Sequence, residues 1–506
     1  MLIGFRVLLE VFEMDNLNNS NNWKQLDRDL DKISQFDVAS RYISRPLVAP
    51  GIAIIFIAIS ALAVMFFWGQ SQSSYIIITA AIFGAYMALN IGANDVANNV
   101  GPAVGSKALT MGGALVIAAL CESAGAILAG GDVVSTISKG IINQESVANK
   151  TVFIWAMMAA LISSALWVNL ATIFGAPVST THSVVGGVMG AGIAAAGFTA
   201  VNWPTMSKIA ASWVISPVLG GIIAAAFLAF IKFSIIYKKD KITAAKKWVP
   251  VLIGLMAGVF AMYLAMKGLK KIIKVDIYTA VTIGVILGAI IYAFSAPLIK
   301  WQSKGLENRN KSIKKLFAVP LVISAGLLSF AHGANDVANA VGPLAAIVHT
   351  VESGDVAGKV DIPLWVMVIG ALGISFGLLL YGPKLIKIVG DQITKLNPMR
   401  AYCVALSAAI TVIIASWLGL PVSSTHIAVG GVFGVGFFRE WDSERRSRKA
   451  LANSNKETKK VPLKERRRRK LVRRSHFLTI IAAWVITVPA AALLSGTIFL
   501  IINSFV

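Results

Sequence analysis

The chain has 506 residues, of which 56% are apolar and 14% charged, and its formal net charge is +23. A soluble domain carries about 25% charged residues, so this composition excludes an ordinary soluble enzyme and predicts a membrane protein. The net charge would suit nucleic acid, but the basic residues cluster in loops beside apolar segments, and no soluble binding domain accompanies them. We therefore expect the lipid bilayer, and no nucleic acid, as a partner.

A polar segment precedes the first apolar window. Residues 1–46 have mixed charge and lack the regions of a cleaved signal, which predicts a cytoplasmic N-terminal extension. Residues 47–68 predict a leading membrane helix, and apolar windows of about 20 residues recur to the end of the chain. The predicted fold class is an all-α polytopic membrane protein with about 10–13 membrane segments. Cys121 and Cys403 both lie in apolar segments, so no disulfide framework is expected.

One phrase, Gly-Ala-Asn-Asp-Val-Ala-Asn, occurs twice, at residues 92–98 and 333–339. A carboxylate at membrane depth is costly and is normally functional. Asp95 and Asp336 occupy matching positions of two halves, which is typical of a transporter whose substrate lies between internal repeats. We expect broken helices or hairpins from the two repeats to meet at mid-membrane.

A second phrase repeats farther along the chain, as Pro-Val-Ser-Thr-Thr-His at residues 177–182 and Pro-Val-Ser-Ser-Thr-His at residues 421–426. The offset is 241 residues for the first phrase and 244 for the second, and it widens to 271 at Trp213 and Trp484 because of a basic insertion. The predicted domains are membrane repeat 1 at 75–237, a linker with two helices at 238–315, and membrane repeat 2 at 316–506 with the insertion at 439–474.

Loop charge predicts how the two repeats are oriented. Residues 439–474 are intensely basic whereas the equivalent 197–204 are uncharged, and residues 300–315 are basic whereas 69–74 are uncharged. Equivalent loops therefore prefer opposite sides of the membrane, which predicts inverted topology. The N-terminus and the insertion are expected in the cytoplasm and the C-terminus outside. The loop that begins at Lys267 fits this poorly, because it is basic and would fall outside.

The second phrase has the chemistry of an anion site. Proline favours the first turn of a helix, so the hydroxyls after it would lie at a helix N-terminus, beside backbone N–H groups and the positive end of the helix dipole. Two such termini would surround a tetrahedral oxyanion. The hydroxyl residues expected to bind it are Ser179, Thr180, Thr181, Ser423, Ser424 and Thr425. Helix capping with a small-residue interface is the structural alternative.

The first phrase has the chemistry of a cation site. Its two carboxylates would repel an oxyanion unless a cation neutralises them or they are protonated, in which case they donate to an anion oxygen. Their neighbours offer hard neutral oxygens, which favours sodium over a proton as the coupling ion. The residues expected to bind the cation are Asn94, Asp95, Asn98, Asn335, Asp336, Asn339 and the lone helical acid Glu122, with Asn94, Asp95, Asn335 and Asp336 as sodium ligands.

The two phrases, in two copies and in this order, closely resemble the PiT family of inorganic phosphate transporters, from about residue 75 onward. The resemblance implies a symporter of the inner membrane that imports phosphate with a cation, bound in part by Asp95 and Asp336, through an inverted-repeat fold. No enzymatic activity and no cofactor are expected. Glu122 matches a family glutamate, whereas its counterpart in repeat 2 is Ile374. A second glutamate of some relatives is replaced here by Ala405.

Two other functions fit parts of the sequence. A sulfate symporter would use the same helix termini, although phosphate alone offers a proton to the aspartates. An intramembrane hydrolase would use serine, aspartate and His182 or His426, but it needs one catalytic set rather than two. For the histidines we expect hydrogen bonding at the helix terminus rather than substrate contact. The sequence leaves monomer and homodimer both open.

Overall fold

The structure is a computed structural model that describes residues 47–66, 72–143, 146–147, 149–174, 178–267, 275–354, 362–388, 397–452 and 474–505. The predicted N-terminal extension, Pro177 of the first hydroxyl phrase and most of the basic insertion lie outside the described residues.

The described chain is built almost wholly of α-helices. In chain order they are α1 (Leu47–Phe66), α2 (Gln72–Asn94), α3 (Val96–Gly105), α4 (Met111–Ala129), α5 (Gly131–Lys139), α6 (Lys150–Ile173), α7 (Thr180–Ala196), α8 (Trp203–Ile231), α9 (Lys241–Lys267), α10 (Ile277–Gln302), α11 (Asn310–Leu316), α12 (Ala318–Asp336), α13 (Ala338–Ser353), α14 (Leu364–Ile388), α15 (Pro398–Trp417), α16 (Ser424–Ala452) and α17 (Arg474–Asn503). A turn of π-helix, Lys232–Ile236, extends α8. Extended pairing within the described residues is limited to one bridge between Ile142 and Val201.

Eleven helical segments of the described chain are long and apolar enough to cross a membrane. This confirms the predicted all-α polytopic fold class. The two helices that begin within the hydroxyl phrases, α7 and α16, are not among these segments. Helix α7 has only 17 residues, and the second half of α16 is strongly charged. The arms α6–α7 and α15–α16 instead form the two hairpins that carry those phrases.

The helix interruption at each Asn-Asp phrase is slight. The α2–α3 junction is the single residue Asp95, with φ −88° and ψ −36°, and the α12–α13 junction is Val337, with φ −55° and ψ −32°. The backbone of both residues stays in the right-handed helical region of φ/ψ space, so the interruption consists only of a local change in the backbone hydrogen bonds. The amide of Asn98, for example, bonds to the carbonyl of Asp95 three residues back, at 3.0 Å. The polar phrase therefore lies along a nearly continuous helix.

Glycines show that the two repeats pack reciprocally. A Cβ added to Gly92 would lie 1.9 Å from the carbonyl oxygen of Ile374, and one added to Gly333 would lie 2.1 Å from that of Glu122. Only glycine permits so close an approach of two helix backbones. The two contacts pair α2 with α14 and α12 with α4, so the first helix of each repeat packs on the third helix of the other.

A second pair of close contacts repeats the exchange near the hairpins. A Cβ at Gly190 would lie 2.1 Å from the carbonyl oxygen of Ala492, and one at Gly434 would lie 2.0 Å from that of Gly221. Gly190 and Gly434 are 244 residues apart, and the residues that they contact, Gly221 and Ala492, are 271 apart; these are the offsets between the two repeats. The molecule therefore has an internal two-fold pseudosymmetry. Which sides of the membrane the equivalent loops face remains a prediction from loop charge.

Candidate functional site

All four phrases meet inside the helical bundle. The α2–α3 and α12–α13 junctions bring Asp95 and Asp336 to the N-termini of α7 and α16, where the hydroxyl phrases lie. The thirteen residues singled out from the sequence are all buried, none with more than 6% of its surface exposed. So many polar groups in an apolar interior need partners or a ligand, because an unsatisfied buried polar group is costly.

Asp95 is held by hydroxyl groups from both repeats. Thr180 donates to its Oδ2 at 2.6 Å, and Thr425 donates to its Oδ1 at 3.1 Å. Thr180 is the first residue of α7 and Thr425 the second residue of α16, so both lie in the first turn of their helices. One carboxylate thus ties the N-termini of two hairpins together.

Asp336 has different neighbours. Ser424 donates to its Oδ2 at 3.3 Å, and Nε2 of His332 lies 2.9 Å from the same oxygen. His332 precedes Asp336 by four residues and so shares its face of α12. The equivalent residue of repeat 1 is Ile91, which has no polar side chain. The two aspartates are therefore equivalent in position but not in chemistry.

Two asparagines cross between the repeats. Asn98 donates to the hydroxyl of Thr425 at 2.9 Å, and Asn339 donates to the hydroxyls of Thr180 and Thr181 at 3.2 Å and 3.1 Å. Each asparagine therefore contacts the hydroxyl phrase of the opposite repeat. The amides orient the hydroxyls that bond to Asp95.

Two further asparagines fasten the hairpins. Asn94 donates to Thr172 near the end of α6 at 2.8 Å, and Asn335 donates to Ser416 near the end of α15 at 3.0 Å. These bonds are equivalent under the internal pseudosymmetry. Asn335 also accepts from the amide of Val422 and donates to the carbonyl of Leu420, both at 3.2 Å. The tip of the second hairpin is thereby fixed to the Asn-Asp phrase.

Ser179 and Ser423 cap their helices. The hydroxyl oxygen of Ser179 accepts from the amide of His182 at 3.1 Å, and that of Ser423 accepts from the amide of His426 at 3.3 Å. Capping occupies an oxygen lone pair and leaves the hydroxyl hydrogen for donation. Thr181 donates to the carbonyl of Val422 at 3.0 Å, which joins the two hairpins directly.

Glu122 lies in a polar chain that sequence reasoning did not foresee. Its Oε2 lies 2.6 Å from Nδ1 of His332, whose other nitrogen faces Asp336, and its Oε1 accepts from Asn99 at 2.9 Å. His332 and Asn99 were missed because Ile91 and Ala340 stand at their equivalent positions, so neither is marked by the repeat. The available signal was a histidine within an apolar helix, four residues before a membrane aspartate.

The donor set at the centre fits a hard cation. One ligand atom from each of Asp95, His332 and Asp336 lies within 4.8 Å of the others. Among the described residues, Oδ1 of Asn94, Oδ1 of Asn339 and Oδ1 of Asp336 are buried oxygens without a hydrogen-bond donor. Buried carboxylate and amide oxygens of this kind are ligands for hard cations.

His182 and His426 face each other across the pseudosymmetry axis. Their ring centroids are 4.6 Å apart in an edge-to-face arrangement, and the ring of Trp213 lies 3.9 Å from that of His182. Trp213 in turn donates from its indole nitrogen to the carbonyl of Pro421 at 3.1 Å. The two imidazoles thus pack in an aromatic cluster near the N-termini of α7 and α16.

Comparisons with known proteins agree with this geometry. Residues 91–495 match the model of a family described as the phosphate transporter family. A candidate phosphate permease of Helicobacter pylori is 46% identical over 93% of this chain and 98% of its own length. Another, of Thermococcus kodakarensis, is 38% identical over 84% of this chain and 97% of its own length.

A solved structure described as the sodium-dependent phosphate transporter is 33% identical, with a TM-score of 0.76 over 85% of this chain and all of the other. The family resemblance carried by the two duplicated phrases is confirmed. The family match covers both phrases in both repeats, the same four segments that meet at the buried site. This multi-pass membrane protein belongs to the phosphate transporter family.

Proposed function

We propose that this chain is a secondary active symporter of the inner membrane that imports inorganic phosphate together with a cation, and that the cation is sodium. The observation that carries the proposal is the convergence of Asp95, Asp336 and the two hydroxyl phrases at one buried site. We further propose that the thirteen residues expected from the sequence form the phosphate and cation sites.

The charges at the site support coupling. Asp95, Asp336 and Glu122 are three buried carboxylates, and among the residues that the structure describes His332 is the basic group in contact with two of them. Even with His332 protonated, the three carboxylates would leave a net negative charge that repels an entering anion. Cations or protons must therefore accompany phosphate, since like charges in a low-dielectric interior repel strongly. Each ligand then raises the affinity for the other, and the linkage is reciprocal.

The anion donors come from the hairpins. The N-termini of α7 and α16 present backbone N–H groups, hydroxyls and the positive ends of two helix dipoles, which together favour an oxyanion. Thr180, Thr425 and Ser424 bond to the aspartates, so a cation that draws the carboxylates away would turn these hydroxyls toward phosphate. Cation binding would in this way prepare the anion site.

Sodium is proposed over a proton for a structural reason. A proton needs one titratable group, whereas sodium needs several oxygens, and Asn94, Asn339 and Asp336 contribute buried oxygens without donors among the described residues. The solved relative is described as sodium-dependent, which supports the same choice.

The test is phosphate uptake into proteoliposomes that contain the purified full chain. A sodium gradient should drive accumulation of labelled phosphate, and excess sulfate should not compete. A pH gradient without sodium, with the membrane potential clamped in both experiments, should drive none. Accumulation driven by the pH gradient alone would replace sodium by a proton, and competition by sulfate would replace phosphate specificity by a broader oxyanion specificity.

A further inference from the structure

Lys267, the last residue of α9, joins three parts of the molecule. Its ammonium forms an ion pair with Asp132 in the first turn of α5 and donates to the carbonyl of Trp417 at 3.3 Å. Asp132 belongs to repeat 1 and Trp417 ends α15 of repeat 2. One side chain therefore bridges both repeats and the linker helix.

A neutral contact beside it closes the same junction. Thr136, one turn after Asp132, donates to the carbonyl of Gly419 at 2.7 Å. Gly419 has φ +68°, a left-handed conformation that side chains rarely adopt, and it lets the chain turn from α15 toward α16. The tip of the second hairpin is thus bonded to α5 and to the end of α9.

This tip is also part of the site. Ser416, the neighbour of Trp417, accepts from Asn335 at 3.0 Å, and Leu420, the neighbour of Gly419, accepts from the same amide at 3.2 Å. Consecutive residues of the tip therefore bond to the Asn-Asp phrase on one side and to the ion-pair junction on the other. A displacement of the ion pair would therefore displace the tip residues that bond to Asn335.

The junction lies at the end of the bundle remote from the basic loop at residues 300–315. The amide of Lys241, which begins α9, bonds to Asn308 in one basic loop at 2.9 Å. With its 27 residues α9 is about 40 Å long, so Lys267 lies across the membrane thickness from that loop. The Asp132 side chain is 53% exposed and that of Lys267 14%, and the tip residues Trp417 and Leu418 are themselves 48% and 58% exposed, so the pair lies beside the tip at the surface of this end of the bundle.

We propose that Lys267 and Asp132 form the outer gate of the substrate path, and that Lys267, once released by Asp132, is the first cationic contact for entering phosphate. The inference rests on the proposed phosphate transport. A carboxylate and a phosphate offer similar anionic oxygens to an ammonium, so phosphate exchanges with Asp132 at the mouth. The capture role would also give a function to Lys267, one of the lysines on the predicted outer side that do not fit the orientation rule.

The capture role is tested by the initial rate of uptake at low phosphate. Lys267→Gln should lower it by about ten-fold, because electrostatic steering of an anion is lost. Added choline chloride, at constant sodium, should slow the unsubstituted protein but hardly affect the variant. Lys267→Arg should stay close to the unsubstituted protein. Lys208→Gln, which removes an exposed lysine near the start of α8, is the control for charge alone.

The gate is tested without phosphate by labelling Leu420→Cys with a membrane-impermeant thiol reagent, in a chain whose Cys121 and Cys403 are replaced by alanine. Asp132→Asn should speed labelling from outside several-fold. The double variant Asp132→Lys with Lys267→Asp should return the rate to that of the parent, because it restores an ion pair of opposite sense. Such a rescue would assign the labelling rate to the ion pair itself and not to either side chain alone.

The outcomes separate the two proposals. Phosphate uptake by the unsubstituted protein, with Lys267→Gln no different from Lys208→Gln, would overturn the capture role and leave the proposed function intact. Equal labelling in the parent, Asp132→Asn and the double variant would overturn the gate. Failure of the unsubstituted protein to take up phosphate would overturn the proposed function, while labelling would still decide whether the ion pair closes the mouth.

Discussion

The two aspartates of the site differ in what holds them. Asp95 accepts from Thr180 and Thr425, whose hydroxyls can rotate away, whereas Asp336 faces an imidazole that is itself fixed against Glu122. A carboxylate held by hydroxyls is free to exchange them for a cation. Asp336 already has an imidazole nitrogen 2.9 Å from its Oδ2, so this carboxyl group is less free to exchange partners. In the proposed symport, a cation should therefore exchange with protein ligands more readily at Asp95 than at Asp336.

The first prediction concerns these carboxylates. Asp95→Asn and Asp336→Asn should each abolish coupled phosphate uptake, because each removes a negative charge that a coupling cation would neutralise. Uptake into proteoliposomes is the measurement, with recovery of folded protein in the membrane as the check on expression. Asp276→Asn, an exposed helix cap at the start of α10, is the matched control. Full uptake by both site variants would remove the aspartates from the mechanism.

The second prediction concerns the buried chain of Glu122 and His332. Removing one partner leaves a buried charge uncompensated, which costs about 3–5 kcal/mol. Glu122→Gln and His332→Gln should each lower the free energy of unfolding in detergent by that order. The double variant should lose less than the two losses added, because the contact between Glu122 and His332 is then lost only once, while Asp336 loses its imidazole in both variants that lack His332. His349→Gln on α13 is the control, and strict additivity would mean that the two residues do not stabilise each other.

The sequence revealed the site residues that the two repeats share. Asn94 and Asn335, for instance, stand out because the same polar residue occurs in the same apolar segment of both repeats. In the structure they form equivalent hydrogen bonds. His332 and Asn99 break the repeat, so a comparison of the two halves passes over them. Their partners come from helices distant in sequence, and only packing reveals those contacts.

At the scale of helices, close backbone contacts decide the packing. The α2–α14 and α12–α4 crossings depend on Gly92 and Gly333, each followed within two residues by the asparagine of its phrase. In each phrase, the glycine that permits the close helix contact is thus two residues from the asparagine that fastens a hairpin. Hydrophobic periodicity indicates which face of a helix is buried, but not which helix covers it, so the reciprocal pairing could not be predicted from the sequence.

The third prediction tests such a crossing. Gly92→Ala would place a Cβ 1.9 Å from the carbonyl oxygen of Ile374, so the two helices must separate. Overpacking of this kind costs about 1–3 kcal/mol, and the melting temperature in detergent should fall. Gly112→Ala is the matched control, since a Cβ there would meet nothing within 4 Å. Equal melting temperatures for the two variants would contradict the close contact.

The fourth prediction concerns the basic end of α8 and α16. Burial opposes ionisation of Asp442, but hydrogen bonds from Lys232 and Tyr237 outweigh it and hold the pKa of this carboxyl below its usual range. A lowered pKa in the folded state adds stability that is present above the ordinary carboxyl pKa of about 4 and is lost as pH falls through the folded value.

Asp442→Asn should therefore destabilise the protein at neutral pH and flatten the loss of stability on acidification. Unfolding in detergent, followed from about pH 7 down to pH 3, measures both effects. Glu444→Gln, an exposed carboxylate two residues away, should leave the profile unchanged. A profile for Asp442→Asn that matches the unsubstituted protein would show that the ion pair adds no stability.

At the scale of the whole molecule, the two repeats combine into one body in which each supplies helices to the other. The offsets of 241, 244 and 271 residues read from the sequence recur as spacings between equivalent backbone contacts. The sequence therefore indicates which residues of the two repeats are equivalent, and the contacts show that equivalent residues pack in equivalent ways. A two-fold axis in the membrane plane and one along its normal would produce the same list of contacts, so loop charge has to choose between them.

The last prediction tests that choice. Thr199 and Ser443 are separated by the hairpin offset of 244 residues and are both exposed, so they are equivalent positions of the two repeats. Inverted topology requires that Thr199→Cys be labelled by an impermeant thiol reagent only from outside and Ser443→Cys only from the cytoplasmic side. Inside-out and right-side-out vesicles, with Cys121 and Cys403 replaced, provide both directions. Labelling of both positions from one face would require parallel repeats, and the two hairpins would then enter the membrane from the same side.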